Sequence, residues 1–256
     1  MNTTLNQKAL IWVLTALISS SGNLMAQESL FSFETYTNAS GEVLQYRKLV
    51  SDYDTNSKYP LVIFLHGSGE RGNDNTVQLK WGVLNFATNE VMKNYKPIVI
   101  APQCPNNQQW ANFQNNELTI APEPSNSGKL VLELIEQLIK EQPVDPDRVY
   151  ITGLSMGGFG TFDLLARKPN LFAAAVPICG GGDPASAEKF ANIPMWVFHG
   201  AKDTSVPLEL SENMVTALQK AGAHPGFTIY PDTGHFSWVA AYSDLQMLHW
   251  LFQQRR

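Results

Sequence analysis

The chain has 256 residues, 44% of them hydrophobic, which is enough to bury one large core. Its formal net charge is −5 at pH 7, and its basic residues form no run longer than a pair such as the terminal Arg255 and Arg256. Nucleic acids and anionic membrane surfaces are therefore not expected partners, and neutral or weakly polar ligands suit this composition better.

The N-terminal segment is typical of a secretory signal peptide. Lys8 precedes an apolar run over residues 9–18, a polar stretch follows, and the small residue Ala26 stands before Gln27. The run is too short to span a bilayer comfortably, since a transmembrane helix needs about 20 apolar residues. An uncleaved anchor is the alternative. We expect cleavage after residue 26, a secreted or periplasmic protein, and no stable membrane association afterwards.

Beyond Gln27 the chain alternates strand patterns with helix patterns, as in a parallel sheet covered on both faces. A hairpin is predicted over residues 33–37 and 43–50. Buried strands are predicted at 61–65, 98–101, 148–151, 173–177, 195–198 and 227–230, because these runs lack polar alternation.

Helices are predicted over residues 128–141, where apolar residues recur at a spacing of four, and over residues 237–254. Before the first of these helices, residues 102–127 form a long irregular stretch rich in Asn, Gln and Pro, and a loop of that length is more often functional than idle. No repeat or linker interrupts the pattern. We therefore predict a single α/β domain over residues 27–256.

Two cysteines allow one disulfide in an exported chain. Cys104 and Cys179 follow strands expected to lie three places apart, about 14 Å, whereas bridged Cα atoms approach within about 7 Å. Free thiols are the favoured prediction, with a bridge as the alternative.

A Gly-x-Ser-x-Gly pentapeptide, residues 153–157, lies between a strand pattern and a helix pattern. A sharp strand-to-helix turn pushes the serine Oγ out of the sheet, and the glycines give the neighbouring backbone room. A Gly-rich turn after a buried strand is the structural alternative. The flanking patterns favour Ser155 as a nucleophile.

A serine nucleophile needs a base and a carboxylate that orients it. Asp203 and His235 follow the last two predicted strands, at the sheet edge where Ser155 lies. Asp183 is the main alternative carboxylate, and Asp232 is too close in sequence to His235 to orient its ring. Four other histidines are weaker candidates for the base: His66, His199, His224 and His249.

These motifs resemble the exported bacterial carboxylesterases of the α/β-hydrolase superfamily. The likeness rests on residues 65–74, 153–158, 199–207 and 234–235, and is greatest to the phospholipase/carboxylesterase and the feruloyl- or polyhydroxybutyrate-esterase groups. The order Ser, Asp, His along the chain is that of the α/β-hydrolase fold.

The resemblance implies an α/β-hydrolase fold, cleavage of carboxylic esters through an acyl-enzyme, and an oxyanion hole made by the backbone N–H groups of Ser68 and Met156. Small aryl or alkyl esters and acylated plant-polysaccharide fragments are the expected substrates. The alternatives are a prolyl-oligopeptidase-type serine peptidase and a non-catalytic carbohydrate-associated protein on a hydrolase scaffold. The acyl group, the alcohol and the oligomeric state stay open.

Aromatic residues near these motifs are candidates for substrate contact. Trp110 lies in the long loop and Trp238 lies three residues beyond His235, so both are predicted to wall the pocket, with core packing as the alternative. Trp81 is predicted to be core. Glu70 and Arg71 either pair with each other, shape their loop or contact substrate. No metal-ligand spacing and no nucleotide fingerprint occurs, so neither a metal nor a cofactor is expected.

Overall fold

A computed structural model describes residues 27–49, 51–54, 56–114 and 118–256. The predicted signal peptide lies outside these ranges, so its cleavage stays a prediction. Of the helices within the ranges, none combines the length and the apolar character that crossing a bilayer requires.

The predicted strands are all present, with ends that differ by a few residues. The strand bounds are β1 Phe31–Thr37, β2 Val43–Leu49, β3 Tyr59–Leu65, β4 Ile98–Pro102, β5 Phe113–Gln114, β6 Thr119–Ile120, β7 Val144–Leu154, β8 Ala174–Ile178, β9 Trp196–Gly200 and β10 Gly226–Tyr230. The short strands β5 and β6 are not predicted, because they lie in the stretch expected to be irregular. Eight of the strands form one sheet in the order β1-β2-β4-β3-β7-β8-β9-β10, while β5 and β6 form a separate ribbon. In the eight-stranded sheet the pairs β1–β2 and β2–β4 are antiparallel and the others are parallel, while β5 and β6 pair antiparallel in the ribbon.

Helices cover both faces of the sheet. Along β3, Ile63 and Leu65 join one buried cluster and Val62 and Phe64 join the other, because successive side chains point to opposite faces. The α-helices are α1 Asn89–Asn94, α2 Asn126–Glu141, α3 Met156–Arg167, α4 Leu208–Lys220, α5 Trp238–Ser243 and α6 Leu245–Gln253. Helices α2, α3 and α4 pack on the first face, and α1, α5 and α6 pack on the second.

The C-terminal segment differs from its prediction. One helix was expected over residues 237–254, but the segment divides into α5 and α6 at Asp244. Asp244 has an extended backbone, and its side chain accepts a hydrogen bond from the Gln246 amide at 2.8 Å. Aspartate favours this N-cap conformation over the helix interior, so a break replaces the continuous helix.

The long loop between β4 and α2 is tied to α3 by Arg167. This residue forms a buried ion pair with Asp163 of the same helix and also reaches the loop backbone. Asp163 is fully buried, and its Oδ2 lies 2.7 Å from Nε of Arg167. Arg167 also donates to the carbonyl oxygens of Ala121 and Pro122, at 3.1 and 3.2 Å. The pair therefore fixes the end of the loop that enters α2.

Breaking this ion pair should destabilise the protein strongly. Arg167→Met leaves the Asp163 carboxylate buried without its partner, and such a change costs about 3–5 kcal/mol. Urea unfolding measures the free energy of unfolding. The control is Lys168→Met, which removes a neighbouring cation from the exposed pair with Glu136 and should cost about 1 kcal/mol or less. Equal losses in the two variants would contradict the anchoring role of Arg167.

Candidate active site

Ser155 sits at the turn between β7 and α3. Its backbone has φ 53° and ψ −116°, a conformation that non-glycine residues rarely adopt. The Ser155 amide donates to the carbonyl of Ile178 on β8 at 2.9 Å. A Cβ at Gly157 would overlap the carbonyl oxygen of Leu65, so only glycine lets α3 approach β3 this closely. The pentapeptide therefore forms the sharp turn that the sequence predicts.

The structure brings Ser155, His235 and Asp203 into one hydrogen-bonded chain. Nε2 of His235 lies 2.9 Å from the Ser155 Oγ, and Nδ1 lies 2.7 Å from Oδ2 of Asp203. A carboxylate only accepts hydrogen bonds, so Nδ1 carries the ring proton and Nε2 is left to accept the hydroxyl proton of Ser155. This is the arrangement that activates a serine for attack on a carbonyl carbon.

Asp203 is held by its own turn. Its Oδ1 accepts hydrogen bonds from the amides of Ser205 and Val206, at 2.8 and 2.9 Å. Burial acts to raise the pKa of the Asp203 carboxyl, but the hydrogen bonds from Val206, His235 and Ser205 outweigh it and hold the pKa below its usual value. The carboxylate is therefore charged at neutral pH and remains an acceptor for the His235 ring.

The loops that carry Asp203 and His235 are in direct contact. The Lys202 amide donates to the carbonyl of Thr233 at 2.9 Å. A Cβ at Gly200, the last residue of β9, would overlap the carbonyl oxygens of Thr233 and Gly234. Glycine at this position lets the two loops pack against each other, which brings the carboxylate within reach of the ring.

Two residues whose backbone amides are predicted to form an oxyanion hole line the cavity beside Ser155. Met156 is the first residue of α3, and Ser68 begins a 3-10 turn over Ser68–Glu70. Both residues line the cavity, and neither amide has an acceptor among the described residues. Free N–H groups at the start of a helix favour an anion, so this placement suits the predicted oxyanion hole.

His66 and Trp110 support the Ser68 turn from beneath. Nε2 of His66 accepts a hydrogen bond from the Cys104 amide at 2.9 Å, so its Nδ1 carries the proton and donates to the Gly67 carbonyl at 2.6 Å. Trp110 is 0% exposed, and its Nε1 donates to the His66 carbonyl at 3.0 Å. The prediction that Trp110 walls the pocket is wrong, because the indole fills the space below the turn and packs edge-on against the His66 ring.

Trp238 is also no part of the cavity wall. It is 4% exposed, and its ring packs edge-on against His235, with ring centroids 5.1 Å apart. Trp81 packs edge-on against Trp238 in turn. Trp238 therefore supports the His235 ring from the side, and the prediction of a pocket-wall role is wrong because α5 begins at this residue and turns it inward.

The cavity itself has a volume of about 510 Å³. The long loop contributes to its rim, as predicted, but through residues that the sequence reasoning missed. Phe113 and Phe159 form an edge-on aromatic pair with centroids 6.2 Å apart. The residues that line the cavity are Ser68, Arg71, Gln109, Ala111, Phe113, Leu118, Ser155, Met156, Phe159, Ser205, Val206 and His235.

The alternative site residues have other partners. Asp183 accepts hydrogen bonds from the amides of Ile120 and Ala185, at 3.1 and 2.9 Å, and Asp232 pairs with Lys202. His249 lies on α6 beside Tyr95. His199 is buried under Asp203, with its Nε2 3.3 Å from Oδ2 of that residue. The remaining histidine, His224, lies in a separate groove beside β10.

Both cysteines are free and buried, as predicted. Within the described ranges, one group of three possible metal ligands occurs, Cys179, Asp203 and His235, with ligand atoms within 4.8 Å of one another. Two of the three already belong to the hydrogen-bonded chain. Burial raises the pKa of the Cys179 thiol to about 12, so the thiolate form that binds metals is disfavoured at neutral pH.

The buried His66 makes stability depend on pH. Burial lowers the pKa of His66 to about 4, whereas the ordinary value is 6.5. As the pH falls from 6.5 towards 4, the unfolded chain takes up a proton that the native state excludes, so the free energy of unfolding decreases. Between pH 7 and 4.5 this amounts to about 2 to 3 kcal/mol. Urea unfolding at pH 7 and pH 4.5 measures this decrease in the free energy of unfolding. The variant His66→Gln should show a decrease smaller by that amount.

Trp110→Phe is the matched control for that experiment. It removes the hydrogen bond to the His66 carbonyl but keeps the imidazole. Its loss of stability should be the same at both pH values. The same pH dependence in the wild type and in His66→Gln would contradict the assignment.

Comparisons with known proteins agree with this geometry. The family model described as Phospholipase/Carboxylesterase matches residues 50–248. A crystal structure of a thermostable esterase superposes with a TM-score of 0.84 at 36% identity, covering 90% of this chain and 64% of that one. A ferulic acid esterase superposes with a TM-score of 0.66 at 18% identity, covering 87% of this chain and 97% of that one, which bears on the fold alone.

Two curated relatives are longer proteins. Poly(3-hydroxyalkanoate) depolymerase C of Paucimonas lemoignei is 30% identical over 189 residues, or 70% of this chain and 40% of that protein. Dipeptidyl-peptidase 5 of Porphyromonas gingivalis is 26% identical over 258 aligned positions, or 84% of this chain and 36% of that protein. The chain thus spans less than half the length of either relative. The family match, the sheet order and the Ser155 turn together show that this chain has the α/β-hydrolase fold and belongs to the phospholipase/carboxylesterase family.

Proposed function

We propose that this chain is a serine hydrolase that cleaves carboxylic esters, with Ser155 as nucleophile, His235 as base and Asp203 as the orienting carboxylate. The observation that carries the proposal is the hydrogen-bonded chain, with 2.9 Å from Ser155 Oγ to His235 Nε2 and 2.7 Å from His235 Nδ1 to Asp203 Oδ2. The free amides of Ser68 and Met156 beside it supply the donors that a tetrahedral intermediate needs.

The first half-reaction transfers the acyl group to the enzyme. His235 takes the proton of the Ser155 hydroxyl as Oγ attacks the ester carbonyl, and Asp203 stabilises the imidazolium that forms. The carbonyl oxygen gains a negative charge and accepts hydrogen bonds from the amides of Ser68 and Met156. Collapse of this intermediate breaks the bond to the alcohol, which leaves with the proton from His235.

The second half-reaction returns the free enzyme. Water attacks the carbonyl carbon of the acyl group on Ser155, while His235 accepts a proton from that water. The acid then leaves and Ser155 regains its hydrogen. Each proton transfer uses the same Nε2 atom, because Nδ1 stays bonded to Asp203.

The cavity supports small esters with an apolar or aromatic part. Its volume of about 510 Å³ lies within the range of small-molecule sites, and Phe113 and Phe159 supply an aromatic wall. Relatives of this chain are named as an acetylxylan esterase/xylanase and a probable feruloyl esterase. We propose acylated plant-polysaccharide fragments and small aryl or alkyl esters as the substrates.

Substitution of the three residues tests the reaction. Ser155→Ala should lower kcat on 4-nitrophenyl acetate by about 10⁴- to 10⁶-fold, and Asp203→Asn by about 10²- to 10⁴-fold. The matched control is Asp183→Asn, because Asp183 accepts hydrogen bonds from the amides of Ile120 and Ala185 and not from the His235 ring, and it should stay within about threefold of the wild type. Activity of Ser155→Ala within about tenfold of the wild type would contradict the assignment.

A peptidase is the second candidate, favoured by the match to dipeptidyl-peptidase 5. The two activities separate on paired leaving groups. An esterase should cleave 4-nitrophenyl esters and leave dipeptide 4-nitroanilides intact, whereas a peptidase should cleave the anilides efficiently. In either case Ser155 should react with a fluorophosphonate probe, which a non-catalytic scaffold would not do.

Export is part of the proposal and has its own test. If residues 1–26 form a cleaved signal peptide, expression of the full chain in a Gram-negative host should yield a protein that begins at Gln27. Intact mass and N-terminal sequencing of the periplasmic fraction measure this. Substitution of Ala26 by a bulky residue should slow the processing, and an unprocessed chain in the membrane fraction would support an anchor instead.

A further inference from the structure

The cavity beside Ser155 is lined in part by Arg71, an arginine that forms no ion pair with an acidic residue among the described residues. Arg71 is a lining residue, and no Asp or Glu stands among the lining residues. In the described part of the chain, the ion pairs between basic and acidic side chains involve other lysines and arginines, and none includes Arg71. A cation beside a cavity whose lining holds no acidic side chain favours an anionic ligand.

The neighbouring groups do not neutralise Arg71. Glu70 is adjacent in sequence, but its carboxyl is buried and hydrogen-bonds to the Gly67 backbone and the Trp81 side chain. The mutual Glu70–Arg71 ion pair is therefore absent. The Arg71 side chain also donates a hydrogen bond to the Cys104 thiol, but burial raises the pKa of that thiol above its usual value, so the thiol stays neutral and does not cancel the charge of Arg71.

The guanidinium is also held in position. Its Nε donates to the carbonyl oxygen of Gln108 at 2.6 Å, and the Gln108 side chain accepts from Ser127 Oγ at 2.7 Å. This bond uses the inner donor of Arg71. The terminal nitrogens carry the forked pair of N–H donors that matches the two oxygens of a carboxylate.

The position of Arg71 relates it to the reacting ester. It directly follows the 3-10 turn that begins at Ser68, and both Ser68 and Arg71 line the cavity. The remaining wall is mainly apolar, with Ala111, Leu118 and Val206 beside the two phenylalanines. A carboxylate on the substrate would reach Arg71 while its apolar part contacts this wall.

We infer that Arg71 makes this site selective for esters that carry a carboxylate group, an inference that rests on the proposed esterase function. The negative net charge of the chain favours neutral ligands at long range, but the residues that line the cavity include one arginine and no carboxylate. Local charge governs recognition here, because the ester group reaches Ser155 only when its substituents lie within the cavity.

Two matched substrate pairs test the inference. The first pair is mono(4-nitrophenyl) glutarate and the 4-nitrophenyl ester of glutaramic acid, which place a carboxylate or an amide on the acyl side. The second pair is 4-acetoxybenzoate and 4-acetoxybenzamide, which do so on the alcohol side. The wild type should prefer the carboxylate in at least one pair by about tenfold or more in kcat/KM, and the preference should weaken with added salt.

The variants separate Arg71 from other effects. Arg71→Gln should lower that preference by about tenfold or more while the amide substrates stay within about threefold, and Arg71→Lys should keep part of it. Lys202→Gln removes the same charge from an exposed pair outside the cavity and should leave the preference unchanged. Thermal melting of each variant verifies that it is folded.

Two results can be told apart. The inference would be overturned if Arg71→Gln kept the carboxylate preference of the wild type to within about twofold in both substrate pairs. Hydrolysis of the amide esters in that case would still uphold the proposed function. No hydrolysis of any of the four esters by the wild type would overturn the proposed function itself.

Discussion

The close backbone packing around Ser155 is the constraint on which the rest of the site depends. A serine at φ 53° is strained, and a strained residue persists only where its surroundings hold it. Here the Ser155 amide bonds to Ile178, Gly157 meets the backbone of Leu65, and Gly158 meets the carbonyl of Ile178. Three neighbouring strands thus clamp the turn, and they leave the hydroxyl at the carboxyl edge of the sheet.

Backbone packing also determines where the proposed base, His235, and the proposed orienting carboxylate, Asp203, lie. In the register of β9 and β10, Gly200 lies beside Tyr230, so the two strands end side by side. The loops that follow are short and touch at Gly200, which places Asp203 and His235 at one height above the sheet. Residues from separate parts of the chain meet because parallel strands end at a common edge.

The positions of Ser155, Asp203 and His235 could be predicted because each follows a recognisable strand, and strand order determines where the loops emerge. The roles of Trp110 and Trp238 could not, since a tryptophan near a motif is equally compatible with a pocket wall and with the layer beneath it. Only the hydrogen bond from Trp110 to His66 and its full burial decide between them. The break at Asp244 was missed because an apolar pattern continues on both sides of it.

The site separates parts that the chemistry constrains from parts that are free to vary. The backbone packing around Ser155, together with buried His66 and Asp203, holds the proposed reacting atoms within hydrogen-bond distance. Changes there are expected to affect every substrate. The long loop is anchored by Asp163 and Arg167 on one side, and its other residues form the cavity wall. The loop can therefore exchange wall residues without moving the anchored backbone. Relatives with the same fold but different named substrates are the expected result of this division.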